Sequence, residues 1–180
     1  MYDPLALRKR FIQLAKIEGK RVLDVGTGRG YNAILLANEY KCKVTSIDNR
    51  ERKLVDARAE AQRMGVTPEL VTFSQGDILV GLNFPDHFFD VVVALNMLHH
   101  VQVEGRERCV MEMARLAKER VVIGELNQEG ASFFDTVAHP GENHLKLLVP
   151  RDWMRETFVC IGKCTVIEDE RINVYSWDVF

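Results

Sequence analysis

The chain has 180 residues with a hydrophobic content of 47% and a charged content of 28%, values typical of a globular protein with a sizeable core. Its formal net charge of −2 provides no overall attraction to nucleic acid. Basic residues follow the apolar ones at the N-terminus, the reverse of a secretory signal, and no stretch approaches membrane-spanning length. We therefore expect one cytoplasmic domain over residues 1–180 that makes no contact with a membrane.

The four cysteines show no spacing typical of a metal site or a disulfide framework. Cys42, Cys109, Cys160 and Cys164 contain no C-x-x-C pair. This usage predicts buried thiols in a reducing compartment.

The patterns along the chain alternate between helix and strand. Asp3 followed by Pro4 predicts the start of a helix over residues 4–17. We predict strands at 21–25, 43–47, 70–73, 88–95 and 120–125, helices at 31–40, 50–64, 105–118, 130–137 and 150–158, and a final hairpin at 164–177. This order indicates an α/β fold, with one helix, five βα repeats and an antiparallel hairpin on a mostly parallel sheet.

A strand, a glycine turn and a helix succeed one another within residues 21–37. Gly26, Gly28 and Gly30 stand at alternate positions after the apolar run. Glycine permits positive φ and close approach of the backbone to a ligand. The turn alone is weak support for a ligand, because tight turns without one have the same pattern.

Carboxylates stand at or near the ends of three successive predicted strands, where ligands of open α/β sheets bind. Asp24 precedes the glycines, and it would repel a pyrophosphate but attract an ammonium or sulfonium group. Asp48 has the placement to bind a ribose diol, and Asp77 can accept from an adenine amino group beside the apolar Ile78. An adenosine with a cationic amino-acid tail would satisfy all three.

The chain resembles class I S-adenosylmethionine-dependent methyltransferases, in particular the small type related to the ubiquinone and menaquinone methyltransferases. The matching segments are 22–37, 44–58, 73–78 and 89–101. The resemblance implies a Rossmann-like seven-stranded sheet whose last strand is inserted antiparallel, with helices on both faces. It also implies S-adenosylmethionine as the cofactor.

The resemblance assigns cofactor-binding roles to matching residues. The methionine part would be surrounded by Asp24, Gly26, Thr27, Gly28 and Gly30, the ribose and adenine would be held by Asp48, Asn49, Asp77 and Ile78, and Asn96 would lie beneath the sulfonium. Structural alternatives stay open at this stage. Asp48 and Asn96 could be helix caps, Asp77 could be a turn residue, and Asp24 could act through the loop backbone.

Candidate catalytic residues follow the fourth and fifth predicted strands. Methyl transfer from a sulfonium requires mainly alignment and exclusion of water, and a base only when the nucleophile must lose a proton. His99 and His100 are the first candidates for that base, and Glu125 is the second. Alternatively, the histidines order the loop and Glu125 binds the neighbouring helix.

The segment 127–149 has weak periodicity and is interpreted as a lid over the substrate. His139, Glu142 and His144 within it lack the spacing of a metal site, so we expect no metal. Phe133 and Phe134 could line the substrate site, although adjacent aromatics are more often core residues.

The sequence therefore predicts a methyltransferase whose acceptor is a small molecule, a protein or RNA, with oxygen, nitrogen or carbon as the nucleophile. A homodimer or a partner subunit would be needed if the open site depends on another chain for closure. A second hypothesis is a non-catalytic S-adenosylmethionine-binding subunit of a partner enzyme. A nicotinamide-dependent oxidoreductase is disfavoured by the G-x-G-x-G spacing.

Overall fold

Seven strands form one sheet in the order β3-β2-β1-β4-β5-β7-β6. The computed structural model describes residues 3–179, so the predicted domain limits 1 and 180 lie outside the described residues. The strands are β1 (Arg21–Val25), β2 (Lys43–Asp48), β3 (Val71–Gln75), β4 (Phe89–Leu95), β5 (Ala117–Leu126), β6 (Cys164–Glu168) and β7 (Ile172–Asp178). The first five are parallel, and β7 is antiparallel to both of its neighbours, β5 and β6. The predicted sheet with its inserted antiparallel strand is confirmed.

Seven α-helices surround this sheet in the described part of the chain: α1 (Pro4–Ala15), α2 (Tyr31–Asn38), α3 (Glu51–Arg63), α4 (Val103–Leu116), α5 (Gln128–Phe133), α6 (His144–Leu147) and α7 (Arg151–Thr157). A 3-10 turn at Leu98–His100 follows β4, and a π-helical turn at Phe134–Ala138 follows α5. Asp3 caps α1 as predicted, since its Oδ1 accepts a hydrogen bond from the N–H of Leu5 at 2.8 Å. The sequence did not predict α6.

The expectation of five βα repeats is wrong at β3. Residues 76–88 connect β3 to β4 through turns without a helix. Leu79, Leu82 and Phe84 nevertheless pack against the core. The apolar side chains of this loop therefore pack against the core without forming a helix. Gly76, Gly81 and Pro85 are residues that disfavour a helix in this segment.

Strand β4 lies at the centre of the sheet and is buried on both faces. Val91 and Val93 belong to the core beneath α1, α2 and α3, whereas Val92 and Ala94 belong to the core beneath α4 and α7. Burial of both faces explains the continuous apolar run in the sequence. The two helical layers confirm the prediction of helices on both faces.

The cysteines differ from the expectation of four buried thiols. Cys42 and Cys109 are buried, but Cys164 is only partly buried and Cys160 is exposed. Cys160 follows the end of α7 in a turn, where the chain does not cover its side chain. Among residues 3–179, no helix has both the length and the apolar character needed to cross a membrane.

Candidate active site at the carboxyl edge of the sheet

A cavity of about 790 Å³ opens along the carboxyl ends of the parallel strands. Of the predicted cofactor-binding residues, nine line it: Asp24, Gly26, Thr27, Gly28, Asp48, Asn49, Asp77, Ile78 and Asn96. Of the predicted catalytic residues, His99 and His100 line it and Glu125 lies behind them. The topology thus brings residues from five strands to one edge, as expected for an open α/β sheet.

The glycine turn has two different structural functions. Gly26 has φ +91°, and a Cβ there would lie 2.6 Å from the Cγ of Met97, so only glycine fits beneath the residue that follows Asn96. Gly30 has φ +79° and is the N-cap of α2. A Cβ on Gly30 would lie 2.9 Å from the Cβ of Ala57 in α3. Gly30 therefore permits close helix packing and is not part of the cavity lining.

Asp24 is buried and is held by two side chains that the sequence analysis missed. Its Oδ1 accepts from Asn32 Nδ2 at 2.6 Å and its Oδ2 accepts from Ser46 Oγ at 2.7 Å. Burial raises the pKa of Asp24 to about 6, although the hydrogen bonds from Ser46 and Asn32 oppose the shift. Asn32 also lines the cavity, and its Oδ1 is buried without a partner among the described residues.

Asp48 and Asp77 both support backbone turns while lining the cavity. Asp48 accepts from the N–H of Gly28 at 3.2 Å through Oδ2 and from the N–H of Arg50 at 3.0 Å through Oδ1. Asp77 accepts from the N–H of Leu79 at 2.9 Å. The capping and turn roles considered for these residues are therefore present. A carboxylate oxygen has more than one lone pair, so these bonds leave capacity for a ligand.

Asn96 ends β4 in a left-handed conformation, with φ +51°. Its N–H donates to the carbonyl of Gly124 at 2.8 Å, which ties the end of β4 to β5. Its Oδ1 is buried in the cavity wall without a partner among the described residues. A buried acceptor of this kind is costly unless a ligand or water satisfies it.

Glu125 and His99 form a buried pair at the end of β5. Glu125 Oε2 lies 2.6 Å from His99 Nδ1. Glu125 Oε1 accepts from the N–H groups of Met97 at 3.1 Å and Leu98 at 2.7 Å. A carboxylate that accepts in this way places the proton of a neutral imidazole on Nδ1 and leaves the lone pair on Nε2. His99 Nε2 is buried and has no partner among the described residues.

His100 lies beside this pair but has no comparable carboxylate partner in the described part of the chain. The centroids of the His99 and His100 rings are 4.1 Å apart. Partial burial, reinforced by His99, lowers the pKa of His100 to about 4. His100 is therefore neutral near pH 7, and its ring packs against the better oriented His99.

The segment after β5, which we interpret from its sequence as a lid, adds Phe134, considered above for the substrate site, and three polar residues that the sequence did not place here. Phe134, His139, Glu142 and His144 line the cavity. Four of the five histidines in the chain, His99, His100, His139 and His144, thus share one wall, which we call the histidine end. Asp24, Asp48 and Asp77 define the carboxylate end. Within residues 3–179, no group of three or more His, Cys, Asp or Glu side chains has a geometry that could hold a metal ion.

A family model described as a methyltransferase domain matches residues 22–120, more than half of the chain. The chain belongs to this family. The match begins in β1 and ends in β5, so it includes the glycine turn and the carboxylate end of this methyltransferase domain. The predicted family, the class I S-adenosylmethionine-dependent methyltransferases, and its cofactor are confirmed.

Two curated relatives illustrate the range of similar sequences. A phosphatidylethanolamine N-methyltransferase of Cereibacter sphaeroides is 36% identical over 112 residues, which cover 62% of this chain and 52% of the relative. A ubiquinone biosynthesis O-methyltransferase of Alkalilimnicola ehrlichii is 32% identical over 162 residues, which cover 86% of this chain and 62% of the relative. Across the curated relatives compared, the matched part spans 32% to 62% of their length.

Solved structures share the fold. The crystal structure of a SAM-dependent methyltransferase from Aquifex aeolicus superposes with a TM-score of 0.73 and 20% sequence identity. The match covers 99% of this chain and 94% of the Aquifex aeolicus chain. A magnesium protoporphyrin IX methyltransferase from Synechocystis, crystallised with SAH, covers 97% of this chain with a TM-score of 0.71, 18% identity and 81% of its own length.

Proposed function

We propose that this methyltransferase domain transfers a methyl group from S-adenosylmethionine to a hydroxyl oxygen of an acceptor, with His99 as the general base. The observation that carries the proposal is the His99–Glu125 pair. His99 lines the cavity, and its Nε2 is a buried atom without a partner among the described residues. A hydroxyl is a weak nucleophile until its proton is removed, so an oriented imidazole favours an oxygen acceptor.

The carboxylate end has the donors and acceptors to hold the cofactor. Asp48 would bind the ribose diol, with Asn49 beside the adenine, and Asp77 with the buried Ile78 would take the adenine edge. Gly26, Thr27 and Gly28 would follow the methionine part. The unpartnered Oδ1 atoms of Asn32 and Asn96 fit a ligand that carries an ammonium group, because that group has only donors.

When bound, S-adenosylmethionine supplies a methyl group that its sulfonium already activates for displacement. His99 would accept the hydroxyl proton at Nε2, and Glu125 would stabilise the resulting imidazolium through Nδ1. Glu125 thus acts through His99 and the 3-10 turn, as a positioning residue. Residues 127–149 would close over the acceptor and exclude water, which is the lid that we infer for this segment.

Relatives with different acceptor atoms match the chain. The O-methyltransferase of Alkalilimnicola ehrlichii is 32% identical, and the N-methyltransferase of Cereibacter sphaeroides is 36% identical. The choice of oxygen therefore rests on the His99–Glu125 pair.

Calorimetric titration with S-adenosylmethionine, S-adenosylhomocysteine and NAD tests the cofactor part of this proposal. We expect both sulfur ligands to bind and NAD to give no heat. Transfer of a tritiated methyl group from S-adenosylmethionine into fractionated cell extract then tests the activity, and the labelled product reports whether oxygen is the acceptor. NAD binding without binding of either sulfur ligand would overturn the proposal. Cofactor binding without any transfer would instead indicate a non-catalytic subunit.

A further inference from the structure

His144 is the only histidine in the described cavity wall whose two ring nitrogens both face carboxylates. Its Nδ1 lies 2.6 Å from Asp135 Oδ1, and its Nε2 lies 3.1 Å from Glu142 Oε2. A carboxylate on each side is satisfied fully only by a ring that donates from both nitrogens. The His144 side chain is itself buried, with a relative exposure of 6%.

The two carboxylates differ in how firmly they are held. Besides the ring, Asp135 accepts from the N–H of His144 at 2.8 Å and from the N–H of Leu145 at 3.1 Å. Although burial raises the pKa of Asp135, these bonds outweigh it and lower the pKa below its usual value. The Glu142 side chain, in contrast, is 58% exposed and reaches His144 from the turn before α6. Asp135 therefore fixes the ring, whereas Glu142 is readily displaced.

The Nε2 side of His144 belongs to the acceptor part of the cavity. The His144 ring centroid is 5.6 Å from that of His99 and 5.6 Å from that of Phe134. Both His144 and Glu142 line the cavity. The Glu142 carboxylate thus occupies the position in the cavity from which a polar group of a bound molecule would contact His144 Nε2.

We propose that His144 binds an anionic, carboxylate-type oxygen of the methyl acceptor, which replaces the carboxylate of Glu142. This inference rests on the proposed function, because it takes the histidine end as the acceptor site. The acceptor then carries an acidic group in addition to its nucleophile. His144 is a specificity-determining residue, and Glu142 is an internal competitor for it.

Besides Glu142, two carboxylates stand at the histidine end, and each is paired with a ring nitrogen. Asp135 faces His144 Nδ1 and Glu125 faces His99 Nδ1, both at 2.6 Å. The carboxylates of Asp24, Asp48 and Asp77 lie at the ends of β1, β2 and β3, on the other side of β4. An anion at His144 therefore avoids the carboxylate end.

A pair of simple probes tests the inference with the full chain. Benzoate and benzyl alcohol have similar size and differ in charge, and their binding to the protein saturated with S-adenosylhomocysteine is measured by NMR titration. A charge-assisted hydrogen bond is stronger than a neutral one, so we expect benzoate to bind about tenfold more tightly than benzyl alcohol.

Two substitutions move this preference in opposite directions. His144→Asn retains an N–H donor for Asp135 but lacks Nε2, and we expect it to weaken benzoate about tenfold and leave benzyl alcohol unchanged. Glu142→Gln removes the competing charge, and we expect tighter benzoate binding. Glu107→Gln, at an exposed site on α4, is the matched control and leaves both probes unchanged.

Equal loss of both probes in His144→Asn, or unchanged or weaker benzoate binding in Glu142→Gln, would show that the two residues only stabilise the segment. Absence of benzoate binding to the wild type and to Glu142→Gln would also overturn the inference. The affinity of each variant for S-adenosylhomocysteine is measured separately by calorimetry. Its loss indicates failure of the proposed function, whereas normal affinity without a benzoate preference refutes only the role of His144.

Discussion

The two ends of the cavity are built in different ways. The aspartates of the carboxylate end stand on or just after strands of the sheet, so the parallel register of β1, β2 and β3 positions them. The histidines of the histidine end stand on a 3-10 turn and on residues 139–144, and two of them are oriented by Glu125 and Asp135. The carboxylate end therefore depends on the register of three strands. The histidine end depends on the sheet only in part, because Glu125 stands on β5 whereas Asp135 and His144 lie outside the strands.

Substitution of His99 gives the largest expected effect and separates the two ends. His99→Asn retains a donor to Glu125 but lacks the Nε2 lone pair. We expect the rate of methyl transfer, measured with the cell-extract fraction that contains the acceptor, to fall about 10²- to 10⁴-fold. This is the usual contribution of a general base. Affinity for S-adenosylhomocysteine, measured by calorimetry, should be unchanged.

His87→Asn is the matched control, because His87 lies outside the cavity and has φ +56°, which asparagine tolerates. It should retain full activity. Equal activity of His99→Asn and the control would remove His99 from the reaction.

Asp48→Asn tests the carboxylate end. The amide retains an acceptor for the N–H of Arg50 but loses the charge that would face the ribose diol. We expect the binding free energy of S-adenosylhomocysteine to weaken by about 1.5–3 kcal/mol, the range for a charge-assisted hydrogen bond. Transfer at saturating cofactor should change much less. Asp56→Asn, on the exposed face of α3, is the control. If the two variants bind the ligand equally well, Asp48 serves only the glycine turn and α3.

The smallest expected effect is the contribution of Asp24 to the pH dependence of the free energy of unfolding. Burial raises the pKa of Asp24 from 3.8 to about 6. Between these values the folded state retains a proton that the unfolded chain releases, so this group makes stability fall as pH rises. Between pH 4.5 and pH 6 the fall should be about 1–2 kcal/mol.

Urea unfolding of the wild type, Asp24→Asn and Asp56→Asn at the two pH values measures this contribution. Asp24→Asn should lack it, whereas Asp56→Asn should retain it. An identical pH dependence in the wild type and Asp24→Asn would show that the carboxylate end is better solvated than its burial implies.

Features set by local sequence were predictable. The strand, glycine turn and helix at 21–37 can be recognised because each depends on neighbouring residues, and the aspartates follow from the positions where strands end. The antiparallel insertion of β7 came instead from the family resemblance. It could not come from periodicity, which reports the faces of a strand but not its neighbours.

Pairings between distant residues were not predictable. His99 and Glu125 were both candidates, but their contact depends on the pairing of β4 with β5. The Asp135–His144 contact arises in a segment without periodicity. Asn32 did offer a signal that was missed, because it is a polar residue at a buried position of the otherwise apolar helix α2. Such a residue requires a partner, and Asp24 provides it.

The insertion of β7 between β5 and β6 has a consequence for synthesis on the ribosome. Until residues 172–178 emerge, β5 has an open edge and β6 lacks the neighbour it pairs with. Glu125, which orients His99, pairs in register with Asn173 of this late strand. A nascent chain that ends before β7 can therefore pair β1 to β5, but the edge of β5 at which Glu125 faces Asn173 stays open. We expect the carboxylate end to be complete during biosynthesis before the strand that carries Glu125 is paired on both edges.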